Sequence, residues 1–249
     1  MMVKLRKTMV RRYGALFSLA LFVGVLSPAG AQRATADEPA QKSPNAPAGE
    51  PAKTPKIEIT LDTSDAPEMA DWADKAKKAC EENYPMIVKH LGEDGFAPPE
   101  KTKIVFKKMN GVAYTAGDTI TCSAKWFTDH PDDVGAVIHE LCHVVQGYRS
   151  KQPPSWVTEG IADYVRWFNF EPEKRHPHVQ NPGKAKYTDS YQTTAAFFDW
   201  IVKNKDPQFV TRLNAAARHG KYKPELFKEY AGKPLDDLWA EFIQSLKQK

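Results

Sequence analysis

Two histidines and a glutamate carry the clearest chemical signal in this sequence: His139, Glu140 and His143, within the segment HELCH. Residues four apart on an α-helix lie one turn above each other on the same face. Both imidazoles would therefore point at a common position that suits a zinc ion, with Glu140 beside them. This HExxH pattern predicts a zinc centre in which Glu140 acts as the general base.

The surroundings of the motif favour a functional helix over the alternative of two surface histidines. Apolar residues recur on the other face of the same predicted helix: Val134, Val137, Ile138, Leu141 and Val145. A helix that buries these side chains would rarely carry two histidines without partners, because unpaired buried polar groups are costly. We therefore expect His139 and His143 to bind the metal.

A third ligand must come from elsewhere, because catalytic zinc usually has three protein ligands and one open position. Glu159 follows His143 by sixteen residues in the segment TEGIADYVRW, and Asp163 lies one turn later on the same helix face. We assign Glu159 to the metal and Asp163 to a hydrogen bond with a histidine ring. The opposite division, with Asp163 on the metal, stays open. A third histidine at the spacing HExxHxxGxxH is excluded, because Arg149 stands there.

Strands and one long helix are predicted ahead of the motif. Apolar residues alternate in the segment IEITLD, which begins at Ile57, as they do in a half-buried strand. A helix is expected over residues 66–91, with Pro85 as its only interruption. The segments KTKIVFKKM and GVAYTAGDTITCSAKWF are expected to be strands, and the second should turn at Ala116-Gly117-Asp118.

Helices are predicted for most of the second half of the chain. The helix that carries HELCH can be capped by Asp132 or Asp133 and ended by Gly147. Four more helices are expected over these approximate ranges: 154–170, 190–203, 206–217 and 234–247. The sequence therefore predicts an α+β fold, in which a small mixed β-sheet with the HExxH helix is followed by a mainly helical C-terminal half.

The first 31 residues have the composition of a secretory signal peptide. A basic start precedes the apolar run Gly14–Leu26, and small residues follow up to Ala31, the expected cleavage point. Thirteen apolar residues fall short of the roughly 20 that span a bilayer. We expect an exported protein without stable membrane insertion, while a retained anchor and a twin-arginine route stay open. Residues 32–55 lack large apolar side chains and should form a disordered linker before a folded domain at 56–249.

The charge of the chain argues against a nucleic-acid partner. Five of the 35 Lys and Arg lie in the predicted signal peptide, which leaves 30 against 31 Asp and Glu, so no nucleic-acid partner is expected.

The three cysteines are Cys80, Cys122 and Cys142. An odd count in an exported protein suggests one bridge at most. We predict a Cys80–Cys122 disulfide, because a bridge from Cys142 would strain the HExxH helix; three buried thiols are the alternative.

Four motifs in order resemble a known family. HELCHVVQGY, WVTEGIADYVRW, DSYQTTAAFFDWI and GKPLDDLW look like the plant basic secretory proteins and their bacterial relatives, and the resemblance covers about Lys56 to Leu246. It implies a zincin-like metallopeptidase with Glu140 as base. It also implies metal ligands at His139, His143 and a residue of the EGIAD block.

The third motif departs from the family at two positions and supplies a candidate catalytic tyrosine. Relatives tend to have a glycine where this chain has Ser190, and an arginine where it has Ala196, which could alter activity. Zincin-like enzymes often use a downstream phenol to stabilise the tetrahedral intermediate, so Tyr191 is our candidate, with a purely packing role as the alternative. The alternatives to Tyr191 as this donor are Tyr148, Tyr187, His176 and His178. We expect His176 and His178 to lie in a solvated loop rather than in a second metal site.

These features together predict a secreted zinc metallopeptidase that acts as a monomer on peptides or proteins. An extended substrate should add to a sheet edge, for which residues 111–114 are the expected strand. The competing hypothesis is a non-enzymatic module that retains the metal and binds a cell surface or cell wall. The presence of Glu140 favours the peptidase over the binding module, because hydrolysis needs that carboxylate and binding does not.

Overall fold

The computed structural model describes residues 54–149, 152–174, 179 and 181–247. The predicted signal peptide, linker residues 32–53 and the histidines His176 and His178 lie outside these residues, and the predicted domain boundaries stay predictions. Among the described residues, none of the helices combines the length and the apolar composition that a membrane span requires.

A four-stranded mixed sheet forms the first layer, as the sequence predicted. Its strands are β1 (Glu58–Asp62), β2 (Lys101–Lys107), β3 (Ala113–Ala116) and β4 (Thr119–Ser123). They lie in the order β1-β2-β4-β3, with β1, β2 and β4 parallel and β3 antiparallel to β4. Strand β3 is therefore an edge strand, with one side of its backbone unpaired within the sheet.

The β3–β4 hairpin turns where predicted, but the segment after it is helical. Gly117 has a φ of +64°, which glycine adopts without steric cost, and it closes a two-residue loop with Asp118. The prediction that AKWF continues a strand was wrong, because a short helix, α2 (Ala124–Asp129), begins there. The hydroxyl of Ser123 accepts a hydrogen bond from the Trp126 amide at 3.3 Å, a helix cap that ends the strand.

Seven further helices complete the described chain, and their bounds are α1 (Ala70–Leu91), α3 (Val134–Gln146), α4 (Ser155–Val165), α5 (Tyr191–Asn204), α6 (Phe209–Arg218), α7 (Glu225–Ala231) and α8 (Leu235–Leu246). A 3-10 turn at Pro67–Met69 precedes α1, and a π-helical turn at Arg166–Phe170 extends α4. The predicted helices are all present, and α7 is one that the sequence patterns missed. Gly147 ends α3 in the left-handed conformation, as expected.

One continuous hydrophobic core extends from the sheet to the C-terminal helices. Helices α1 and α3 pack against the sheet, where Trp72 of α1 lies 4.3 Å from Phe127 and 5.7 Å from Phe106 between ring centroids. Helices α5 to α8 enclose a second aromatic cluster around Phe197, whose ring lies 5.3 Å from Trp239. Helix α3, which carries HELCH, is thus held between the sheet and α4.

The cysteine prediction was wrong, because Cys80, Cys122 and Cys142 are all free thiols. They lie fully buried on α1, β4 and α3, three elements that pack together through apolar side chains. Burial raises the pKa of all three thiols, that of Cys80 to about 12. They act as small apolar core residues, and the fold does not need a bridge between elements that already pack tightly.

Candidate metal centre

Three side chains converge where α3 crosses α4. Nε2 of His139 lies 3.1 Å from Nε2 of His143, and both face Oε2 of Glu159, at 3.1 Å and 3.3 Å respectively. The two histidines come from successive turns of α3, and Glu159 comes from the first turns of α4. These residues form a group that could hold a metal ion.

The outer nitrogen of each ring has a fixed acceptor. Nδ1 of His139 lies 2.7 Å from Oδ1 of Asp163, and Nδ1 of His143 lies 2.6 Å from Oε1 of Gln146. The Gln146 amide is oriented because its Nε2 donates to the carbonyl of Thr158 at 2.9 Å. Since carboxylate and amide oxygens accept hydrogen bonds, this network assigns the proton of each neutral ring to Nδ1.

The same network leaves an unshared electron pair on both Nε2 atoms. When both rings are neutral, two imidazole nitrogens and one carboxylate oxygen face one another as acceptors, and a positive charge, either a proton on His139 or a bound cation, stabilises that arrangement. Ligands about 2.0–2.1 Å from a tetrahedral ion lie about 3.3 Å apart. The observed separations of 3.1 to 3.3 Å match this spacing, so the residues fit a bound metal ion.

The charges of the site also favour binding of a cation. Burial would lower the pKa of His139, but hydrogen bonds to Asp163 and Glu159 outweigh it and raise the pKa to about 10. Burial would raise the pKa of Glu159, but both histidines outweigh it and lower the pKa to about 2. The carboxylates stabilise a positive charge on His139, and the two histidines stabilise the negative charge of Glu159. The cluster therefore attracts positive charge.

Glu140 lies beside the three converging side chains and reaches the edge strand. Oγ1 of Thr115, on β3, lies 2.8 Å from Oε2 of Glu140 and 2.9 Å from its backbone oxygen. The glutamate is 9% exposed, so it is largely buried yet reaches the cleft that also exposes His139 and Glu159. The base predicted from the sequence thus stands next to the predicted ligands.

Two clefts meet at this point. The larger, of about 740 Å³, extends over the start of β3 to Trp167 and Tyr191, and the other, of about 600 Å³, extends past the β3–β4 turn to Arg149. Thr115, His143 and Glu159 line both clefts. An extended chain lying along β3 would cross the converging side chains.

A comparison with family models decides which family the chain belongs to. Residues 60–242 match the model described as BSP, peptidase of plants and bacteria. The chain belongs to this peptidase family. The match confirms the resemblance to basic secretory proteins that the four motifs carried. No curated protein matches the chain.

Tyr191 of this peptidase lies at the rim of the larger cleft. It is the first residue of α5, which starts there because Oγ of Ser190 accepts a hydrogen bond from the Thr193 amide at 3.1 Å. The Tyr191 ring lies nearly parallel to that of His139, at 6.4 Å between centroids, and the side chain is 50% exposed. The charge of Glu159 is the main cause that raises the pKa of Tyr191.

Helix α5 can bring Tyr191 close because α4 has a glycine at the crossing. A Cβ atom on Gly160 would lie 2.2 Å from Cγ2 of Thr194, so a larger residue would push the helices apart. Ser190 caps the helix in this chain, and Ala196 packs half-buried against the core. Both departures from the family pattern therefore have a structural role here.

The two alternative tyrosines are committed to other contacts. The Tyr148 hydroxyl donates to Oδ1 of Asn214 at 2.6 Å, and its burial raises the pKa of the phenol. Tyr187 packs against Trp156 with ring centroids 4.8 Å apart. The edge strand also differs slightly from the expected range 111–114, because it covers Ala113–Ala116.

Sequence patterns missed a charged group that fixes the start of α3. Asp133 occupies the cap position, but its side chain caps nothing; the expectation of a capping aspartate was wrong in that respect. Its oxygens instead accept from Nη2 of Arg166 at 2.5 Å and from Nε1 of Trp126 at 2.9 Å. Arg166 also donates to Glu171 at 2.9 Å, directly over Gly135 of α3. This group ties α3 to the turn that follows α4.

Thr115 and Gln146 were also missed as parts of the site. Gln146 had a detectable signal, because it stands three residues after His143 and so shares its helix face. Thr115 had none, because its contact with Glu140 joins residues 25 positions apart on a strand and a helix.

Proposed function

We propose that this chain is a zinc-dependent peptidase that hydrolyses peptide bonds with Glu140 as general base. The observation that carries the proposal is the convergence of three potential ligand atoms, those of His139, His143 and Glu159, next to that carboxylate. Zinc bound there would supply Lewis acidity, lowering the pKa of water and polarising the scissile carbonyl.

The ligand atoms support zinc over other biological cations. Two imidazole nitrogens and one carboxylate oxygen form a set that zinc takes in catalytic sites, whereas calcium and magnesium prefer oxygen alone. Asp163 contacts the outer nitrogen of His139, on the far side of the ring from Glu159. This contact supports Glu159 as the third ligand and Asp163 as the residue that orients His139.

The proton transfers belong to Glu140. Its carboxylate would accept a proton from the attacking water and deliver it to the amine nitrogen that leaves, as a general base and then a general acid. Tyr191 would donate its hydroxyl to the oxygen that becomes negatively charged in the intermediate. Its half-exposed position at the cleft rim leaves the side chain room to turn toward that oxygen.

The edge strand offers a place for the peptide. The Ser123 amide donates to the Val112 carbonyl at 2.9 Å, which makes Val112 a bonded position of the antiparallel pair. Bonded and non-bonded positions alternate, so the backbone groups of Ala113 and Thr115 face away from β4. An extended substrate would pair with these outward-facing groups and place its scissile bond near Glu140.

The remaining parts of the proposal concern the setting. Export rests on the composition of residues 1–31, and the near balance of charge in the rest of the chain supports peptides rather than nucleic acid as partner. We also propose that the enzyme acts as a monomer, because Glu140 and the three converging side chains come from one chain and the proposed reaction needs no group from a second copy. Sedimentation of the purified protein tests that point, and a stable dimer would contradict it.

Metal analysis and peptide cleavage test the proposal together. The purified protein should contain about one zinc per chain and cleave an unfolded protein, and Glu140→Gln should keep the zinc and lose the cleavage. A wild-type protein without affinity for zinc would overturn the metal assignment. Zinc binding with equally negligible cleavage by both proteins would favour the module that only binds.

A further inference from the structure

Thr115 touches the proposed peptide site and the proposed base at once. Its backbone groups face away from β4 toward the open edge, while its side chain points inward to α3. Among the edge-facing positions of β3, Ala113 has no polar side chain with which to do the same. The two roles of Thr115 come from the alternation of a strand and from the packing of β3 against α3.

The Thr115 hydroxyl fixes one oxygen of Glu140. It lies 2.8 Å from Oε2 and 2.9 Å from the Glu140 backbone oxygen, so its single proton is shared between two acceptors of one residue. A carboxylate can only accept in this contact, which defines the direction of the hydrogen bond. The side chain of Glu140 is thereby held in one rotamer from the β3 side.

The second carboxylate oxygen stays available. No described residue donates a hydrogen bond to Oε1 of Glu140, and the residue lines the larger cleft. Oε2 would then serve to hold the carboxylate, and Oε1 to exchange the proton. A carboxylate anchored by one oxygen presents the other at a constant distance from a peptide bound on the same strand.

We propose that Thr115 is a positioning residue, which sets the distance between the peptide on β3 and the base on α3. The proposal rests on the proposed function and deepens it. Thr115 takes no part in proton transfer itself. Its contribution lies in the orientation of Glu140, so its loss should slow the reaction at saturating substrate while leaving peptide and zinc binding in place.

Thr115→Val removes the hydroxyl and keeps the size and the β-branched shape that suit a strand. We expect kcat for a fluorogenic peptide to fall about 10- to 100-fold, because a base misplaced by about 1 Å loses that much. KM and zinc content should stay within about two-fold of wild type, since the backbone and the ligands are unchanged. Thr115→Ser restores the hydroxyl and should recover most of the lost kcat.

Thr102→Val is a matched control for the loss of a strand hydroxyl. Thr102 is buried on β2, and its hydroxyl donates to the carbonyl of Asp118 in the same hairpin at 2.7 Å rather than to Glu140. It should lower the melting temperature at least as much as Thr115→Val does and leave kcat unchanged. An equal loss of kcat in both variants, or a loss that Thr115→Ser does not recover, would show a merely structural role.

The outcomes also separate this proposal from the proposed function. Cleavage by Glu140→Gln at the wild-type rate would remove Glu140 as the base and the proposed function with it. Wild-type kcat in Thr115→Val, together with an inactive Glu140→Gln, would overturn the positioning role alone.

Discussion

The two histidines of the site differ in what holds them. His139 is backed by the carboxylate of Asp163, which belongs to another helix, whereas His143 is backed by the amide of Gln146, one turn along the same helix. A negatively charged acceptor makes an imidazole a stronger electron donor, and a neutral amide only orients it. One ring thus has its acceptor on α4, and the other has its acceptor on α3, where a backbone carbonyl of α4 orients it.

Glu159 joins the two halves, because its Oε2 faces both rings. Glu159→Gln keeps the shape of the side chain but removes its charge and should weaken zinc binding by more than about 100-fold, above the range for outer partners. Competition with a chelating dye measures the affinity. A smaller loss than that caused by Asp163→Asn would reverse the roles of the two carboxylates.

Asp163→Asn makes the partner of His139 resemble that of His143. An amide can accept from Nδ1 or donate to it, so it no longer favours the proton on Nδ1, and it carries no charge. We expect zinc affinity to fall about 10- to 100-fold, with the melting temperature of the metal-free protein changed much less. An unchanged affinity would mean that the carboxylate does not tune His139.

Gln146→Met removes the acceptor from the His143 side at similar size. The Nδ1–H of His143 then lacks a partner with or without metal, so most of the cost, about 1–3 kcal/mol, falls on folding stability. Zinc affinity should fall only about 10-fold, through looser orientation of the ring. The same chelator assay measures both variants. If Gln146→Met lowers zinc affinity as much as Asp163→Asn does, the two histidines do not differ in the way proposed.

The sequence could predict those residues of the site whose relative positions depend on a single helix. The spacing of His139, Glu140 and His143 on one helix made them predictable. Asp163 was predictable in the same way, because it lies one turn after Glu159 on the same helix face. The mixed sheet and the predicted helices follow from hydrophobic periodicity and from the residues that end each element.

Contacts between distant elements could not be predicted. Thr115 meets Glu140 only because the sheet brings β3 beside α3, and Arg166 meets Asp133 only because the turn after α4 folds back. The Cys80–Cys122 bridge was predicted from a count, which holds no information about how the thiols pack. The AKWF helix had a local signal, the cap at Ser123, that strand-like neighbours outweighed.

Thr158→Ala should have the smallest effect, and it sharpens the account of the His143 side. Gln146 is held by the backbone carbonyl of Thr158, not by its side chain, so truncation leaves the amide oriented. Zinc affinity should stay within about two-fold of wild type, although Thr158 neighbours the proposed ligand Glu159. A loss near that of Gln146→Met would instead mean that the Thr158 side chain, and not only its carbonyl, orients Gln146.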